Sequence, residues 1–432
     1  MSQVSTFPAR DNSLPGPENI HRQQLINGAV ILSRAHPSSG SVVISGSIPA
    51  GGLFDPDDKL GLADFTSAAL MRGTINKDFF EIYDGLESIG ASLGFSGGTH
   101  SVSFSGKSLV EDYDLLLTLL SEALLRPTFP SDQVERLRTQ ILTSLAIRTQ
   151  DTAARASMIF DEVVYKNHPY SRPEEGNPDT IQVIQQEDLV QYHRRYYGPR
   201  GMLIAVVGGI DPEQANEKVR QTFENWQNPD QPDPIELPPL NPLYEKIRKH
   251  VEVAGKIQSD LVIGSAGPQR ASPDYMAASL GNHILGRFGM MGRLGEALRE
   301  KAGIAYYVSS SLNSGLGPGP WDVSAGVDPD NLERAIEMVL EEIRRFVSTP
   351  VSAIELADSQ ANYIGRLPIS LESNAGIASS LLSLERYQLG LDYYLRYSDM
   401  VNSVDPEQVL EAAARYLDPD RLAIASAGPG LR

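Results

Sequence analysis

The stretch IQVIQQEDLVQYHRRYYGPRGMLIAVVG, residues 181–208, reads as an amphipathic helix, a turn carrying proline, and an apolar strand closed by glycine. The segment 401–428, VNSVDPEQVLEAAARYLDPDRLAIASAG, carries the same pattern without a gap at a constant offset of 220. Seven positions are identical: Glu187/Glu407, Arg195/Arg415, Tyr196/Tyr416, Pro199/Pro419, Ile204/Ile424, Ala205/Ala425 and Gly208/Gly428. Gapless agreement between two helix–strand units indicates internal duplication. At this spacing a repeat indicates paired domains rather than a solenoid.

Between the copies, Pro229 to Pro242 reads PDQPDPIELPPLNP, six prolines in fourteen residues. Proline removes backbone donors and fixes φ, so this stretch is expected to run extended over the surface as a linker. It divides the chain into a first domain, 1–228, the linker 229–242, and a second domain, 243–432. In the first half, VVISGSIPAGG (42–52) and ASLGFSGGTHSVSFSGKS (91–108) read as strands. Helices are expected at 61–72, about 79–89, 111–125 and 131–149. In the last of these Val134, Leu137, Ile141 and Leu145 recur at helical spacing, with Asp132 as the expected N-cap and Glu135 three residues on. Strands and helices mix without regular βαβ alternation. The expectation is therefore α+β: two homologous α/β-sandwich-like domains, each a mostly antiparallel sheet with helices on one face.

The bulk properties exclude several function classes. The 432 residues are 41% hydrophobic and 21% charged, with no run of about 18 apolar residues, so no membrane role is expected. The net charge of −18 argues against nucleic acid, because phosphate binding needs a basic face; an acidic surface would sooner attract basic peptides. There are no cysteines, hence no disulfides, thiolate metal sites or cysteine nucleophiles. The first thirty residues lack a basic start and an apolar run and carry Asp11 and Glu18, which predicts no secretory or transit signal and a cytoplasmic protein.

One further stretch, GLADFTSAALMRGT (61–74), resembles the zinc helix of the pitrilysin-type (M16, inverzincin) metallopeptidases, the group that includes the mitochondrial processing peptidase. Gly61, Leu62, Phe65, Arg72, Gly73 and Thr74 keep the frame. In active members the helix carries His-x-x-Glu-His, two zinc-binding histidines on one face with a glutamate base between them, and a second glutamate ligand follows roughly 75 residues on. The first histidine falls on Asp64, the glutamate on Ser67, the second histidine on Ala68, and the distant glutamate at or next to Ser144 in QILTSLAIRTQD. One carboxylate and no imidazole will not hold zinc tightly, so no metal or other cofactor is expected on this chain. The seven histidines show no paired spacing, and His168 and His193 are expected to serve structure or lie at the surface.

The second half resembles the same family through HILGRFGMMGRLGEALREKAGIAYYVSSS (283–311), where Arg299 and Tyr306 match the family's Arg/Tyr pair at its seven-residue spacing. Taken alone, Arg299 reads as a helix-terminal cation before Gly303 and Tyr306 as a packed strand aromatic. With the surrounding signature, they read as a fixed cation and a hydroxyl donor suited to a peptide carbonyl and its oxyanion. In GRFGMMGR (286–293) Met290 and Met291 read as core residues or, with the glycines, as a mobile loop. The resemblance spans about 25–428. It implies a clam-shell half whose partner, a homologous subunit bearing His-x-x-Glu-His, holds the zinc, the two together hydrolysing a peptide substrate. It implies further that 91–108 is the counterpart of the edge strand along which substrate binds. The alternative is a non-enzymatic structural or peptide-binding scaffold of the same fold.

Overall fold

The computed structural model describes residues 14–287 and 291–430. They form two compact units. The first contains a six-stranded sheet of β1 (His21–Gln24), β2 (Val30–Ala35), β3 (Ser41–Ile48), β4 (Ser92–Ser96), β5 (Val102–Leu109) and β6 (Leu203–Gly208). Its order is β1-β2-β6-β3-β5-β4, antiparallel throughout except for β2 with β6. The second unit contains β7 (Ile247–Glu252), β8 (Ser259–Ala266), β9 (Ala305–Leu312), β10 (Pro320–Val327) and β11 (Ala423–Gly428). Its order is β7-β11-β8-β10-β9, with only β7 and β11 parallel. Leaving out β1, the two orders correspond strand for strand, so the duplication read from the segments ending in β6 and β11 extends over both sheets.

Each half of the duplicated segment holds two helices rather than one. Pro178–Val183 and Gln186–Tyr196 are separated at Ile184, and Tyr397–Asn402 and Pro406–Tyr416 correspond to them. In the second pair the break is sealed by Asp405, whose carboxylate accepts the Gln408 N–H at 2.8 Å. The helix Ser131–Thr149 likewise begins before its expected cap. The Pro130 carbonyl accepts from Gln133 and Val134, so Asp132 sits inside the first turn.

Alternation along the strands shows how each sheet is covered. On β5, Val102, Phe104, Gly106 and Ser108 are buried, while Ser103, Ser105 and Lys107 are exposed. A Cβ on Gly106 would meet Leu116 of the helix Tyr113–Leu125 at 2.9 Å, which places that helix on the buried face. The opposite face is covered over β3 and β6 by the helix Asn374–Arg386, from the other half of the sequence. The second unit mirrors this. Leu261 and Ile263 of β8 join the main core around Trp321, whereas Val262, facing the other way, packs with Ala156, Ile159 and Phe160 of the helix Thr152–Val164.

A cut at the linker therefore does not separate the units. Thr143–Pro173 belongs to the second and Leu367–Arg396 to the first. The physical reason is that the central strands are apolar on both faces, and each half borrows a helix to cover the second one. Asn374 fastens the borrowed helix in the first unit. Its amide donates to the Ser39 hydroxyl at 2.9 Å and the Ser41 carbonyl at 3.0 Å, and its Oδ1 lies 2.6 Å from His36 Nδ1.

The proline-rich stretch carries no helix or strand from 224 to 246, as its composition predicts. Gln231 ties its start to Arg200 through bonds of 3.1 and 2.9 Å, and the changeover between units falls at Ile235/Glu236. No helix among the described residues is long and apolar enough to cross a membrane.

Candidate functional site

Gly61 turns the chain into the helix Leu62–Ala69 with φ +89°, and a Cβ there would lie 2.7 Å from the Glu175 carbonyl oxygen. The Asp55 carboxylate, 5% exposed, accepts the N–H groups of Gly61 and Ala63 at 2.8 and 2.9 Å and so satisfies the helix start. Leu62, Ala63, Phe65, Thr66, Ser67 and Ala69 are buried. The helix survives as a packing element, which explains the retained frame.

The positions that would carry chemistry do not fit zinc. Asp64 Oδ1 accepts the Gly97 N–H at 3.2 Å, and Gly97 lies so close that a Cβ would approach Asp64 Cα to 2.5 Å. Burial pushes the Asp64 carboxyl up to about 6; the Gly97 N–H opposes the shift and the nearby Glu175 and Glu174 charges add to it. The Ser67 hydroxyl is spent inside the helix, donating to the Asp64 carbonyl at 2.8 Å, and Ala68 has no donor atom. Ser144 is exposed on the helix Ser131–Thr149, in the stretch that belongs to the second unit. Among the described residues no group of three or more His, Cys, Asp or Glu is placed to hold a metal ion. His168 is buried and accepts from the Tyr170 N–H at 3.2 Å. His193 bonds the Leu124 carbonyl at 2.8 Å, with burial pulling its imidazole down to about 4. Both serve structure.

Arg299 lies in a π-helical segment, Gly295–Lys301, that ends at Gly303 with φ +64°. It is exposed, and among the described residues it has no hydrogen-bond or ion-pair partner. Tyr306 follows as the second residue of β9, 56% exposed and equally unpartnered. The register on β10 shifts at this point: Gly326 pairs with Tyr307 and Val327 with Ala305, leaving Tyr306 as the extra residue of a β-bulge. Exposure follows the bulge. Tyr306 and Tyr307 are both exposed between buried Ala305 and Val308, so alternation is interrupted and both rings leave the core. A bulge on an edge strand is a common device for re-aiming a side chain at a site.

Sequence reasoning missed what holds this bulge. Tyr307 donates its phenol to Asp260 at 2.6 Å. Asp260, 2% exposed on β8, also accepts from the Thr152 hydroxyl and from Gln258 Nε2 at 3.0 Å. Burial and the neighbouring carboxylate push the Tyr307 phenol well up, so it remains a donor. Gly326 leaves room for the ring; a Cβ there would lie 2.4 Å from Tyr307 Cε1. The available signal was an aspartate opening an otherwise apolar strand, SDLVIGSA, together with the doubled tyrosine. Of the methionines read as core or loop, Met291 is 78% exposed and so is not a core residue, and Met290 lies outside the described residues.

Comparison with known proteins agrees with these observations. Residues 30–176 match the family model "Insulinase (Peptidase family M16)", and residues 184–363 match "Peptidase M16 inactive domain". An uncharacterized zinc protease of Streptomyces coelicolor is 22% identical over 95% of this chain and 90% of its own length. The mitochondrial-processing peptidase subunit beta of Saccharomyces cerevisiae is 23% identical over 83% of this chain and 80% of its own. A solved structure described as a peptidase M16 inactive domain, from Pseudomonas fluorescens, superposes with a TM-score of 0.88 at 27% identity, covering 95% of this chain and 98% of that one. A protease from Helicobacter pylori shares the fold with a TM-score of 0.86 at 19% identity, over 96% and 100% of the two chains. With both halves matched and the same fold throughout, the chain belongs to the M16 peptidase family, akin to its zinc proteases but with a zinc helix that carries none of their ligands.

Proposed function

We propose that this chain is the non-zinc subunit of a two-chain M16 metallopeptidase. The observation that carries the reading is the contrast between its two candidate sites. The helix that would hold zinc has Asp64, Ser67 and Ala68, which cannot, while Arg299 stands exposed and unpartnered on the helical segment before β9 and Tyr306 does so at a bulge fixed from behind. A homologous subunit with His-x-x-Glu-His would supply the zinc and the base. In its presence Arg299 would hold the scissile carbonyl by a fixed positive charge, and the Tyr306 hydroxyl would donate to the same oxygen as negative charge builds on it. The yeast relative is by name one subunit of a peptidase, which supports the division of labour. β4 ends its sheet and offers an edge along which a peptide can add as a strand.

The test is native purification of the chain from its source, with mass spectrometry of whatever co-purifies and zinc measured on the same sample. A similar-sized homologue bearing the zinc motif, with about one zinc per pair, is the expected result. In that pair Arg299→Ala or Tyr306→Phe should lower turnover by about 10²- to 10³-fold, as loss of an oxyanion donor does, with assembly intact. A zinc-free assembly, or unchanged turnover in both variants, would leave a scaffold role in its place.

A further inference from the structure

The first unit contains a groove of about 520 Å³ between the uncovered half of its sheet and the helix Asn374–Arg386. Ser96, Ser103 and Ser105 form its floor, and Ser379, Leu382 and Ser383 form its helical wall. Every side chain lining it is neutral except Arg386. One step further along the same face of β5, two residues past Ser105, stands the exposed Lys107. Among the described residues neither Arg386 nor Lys107 has a hydrogen-bond or ion-pair partner. Glu385, next to Arg386, is already committed to Arg22 through bonds of 2.7 and 2.8 Å. In a protein with 55 acidic and 37 basic residues, a groove whose one charged lining residue is a free cation, with a second free cation just beyond it on β5, is a local inversion of charge.

The two cations lie at opposite ends. The borrowed helix begins where Asn374 bonds Ser41, and Ser41 pairs with Leu109 at the Lys107 end of β5. Twelve residues later, a rise of about 18 Å, it ends at Arg386, beside the start of β5. Ser103 lines the groove together with Arg386, and Ser103 to Lys107 spans about 14 Å of strand, so a peptide extended along β5 from the Arg386 end would bring carboxylates about four residues apart to the two cations. Between them the Ser103 and Ser383 hydroxyls are already spent on the Ser96 and Ser379 carbonyls, whereas the exposed Ser379 hydroxyl on the helical wall can donate to a peptide without reading sequence.

We propose that this groove binds an extended acidic peptide segment, with Arg386 and Lys107 holding carboxylates at its two ends. Resting on the peptide-substrate reading above, the proposal names the substrate class as acidic, the reverse of what the net charge of the whole chain suggests.

The experiment uses the full chain and three end-labelled decapeptides that differ only at positions 4 and 8, which carry Glu, Gln or Lys. Binding is followed by fluorescence polarisation at low and moderate salt. The expected result is that the Glu peptide binds about tenfold tighter than the Gln peptide, with the Lys peptide weakest, and that added salt removes the difference. Arg386→Gln should cost the Glu peptide about tenfold and leave the Gln peptide unchanged; Lys107→Gln should act in the same direction. Neither side chain has a partner to lose, and a thermal melt checks that both variants fold. Equal binding of Glu and Gln peptides, a preference for Lys, no binding of any, or an indifferent Arg386→Gln overturns the proposal. Binding needs neither zinc nor a second subunit. An acidic preference without any zinc-bearing partner would therefore sink the peptidase reading and leave the groove, whereas turnover that depends on Arg299 without an acidic preference would do the opposite.

Discussion

Replacing Asp64 with asparagine exposes what the emptied zinc helix costs the fold. In the folded protein this carboxyl titrates near 6, against an ordinary 3.8, with burial as the main cause. The folded state therefore holds the proton more tightly than the unfolded chain. That advantage is complete below about pH 3.8 and is lost as the pH rises through 6. A gap of about two pH units at 1.36 kcal/mol per unit amounts to about 3 kcal/mol, which burying the ionised form costs above pH 7. Asparagine has the same shape, keeps an oxygen for the Gly97 N–H, and carries no charge. Asp64→Asn should thus match the wild type near pH 4 and gain up to about 3 kcal/mol by pH 8, a rise of several degrees in the thermal midpoint. Thermal and urea melts of both proteins across pH 4–8 measure this directly. A gain that is the same at both ends of the range, or a variant less stable at pH 8, would refute the assignment of a buried, charged and under-compensated carboxylate.

The neighbouring position behaves oppositely: Ser67 is 1% exposed, so Ser67→Glu should cost about 3 kcal/mol or more and lower the thermal midpoint at neutral pH, and an unchanged melt would show that the helix still has an open face. Tyr307→Phe removes one donor from buried Asp260, which should cost about 1–3 kcal/mol by urea titration and, in an assembled peptidase, lower kcat with little change in KM. Asp260→Asn, which keeps an acceptor, should lose less than Asp260→Ala; equal losses would assign the cluster to packing alone. Burial also raises Asp322 to about 7, so Asp322→Asn should stabilise above neutrality and become neutral near pH 4, a second pH-dependent melt on the other unit. Asn374→Ala strips the borrowed helix of its bonds to Ser39 and Ser41 and should speed amide hydrogen exchange across 374–386.

The two-sheet architecture was legible because β6 and β11 with their preceding helices repeat without a gap, and because six prolines can form little else than a linker. Amphipathic periodicity tells that a helix has an apolar face, not which sheet receives it, so the exchange of Thr152–Val164 and Asn374–Arg386 was invisible. The absence of zinc ligands at Asp64, Ser67 and Ala68 could be read directly, since ligand chemistry is a property of residue type. The bulge at Tyr306 could not, because it is a relation of register between β9 and β10. Arg386 lies far from β5 in sequence and reaches the groove beside Ser103 and Ser105, on the strand that carries Lys107, only through that exchanged helix.

The exchange also sets an order on the making of the protein. When synthesis reaches Pro229, every strand of the first sheet exists, yet the helix that covers β3 and β6 begins about 145 residues later. At ribosomal speeds that is a wait of roughly 7–30 s, during which an apolar sheet face has nothing of its own chain to meet. The first unit therefore cannot finish folding until residue 386 has been made, and the nascent chain is a natural client for chaperones over that interval. For the same reason a protease cutting once in the linker would yield a nicked but undivided molecule, because each fragment holds a helix that the other needs.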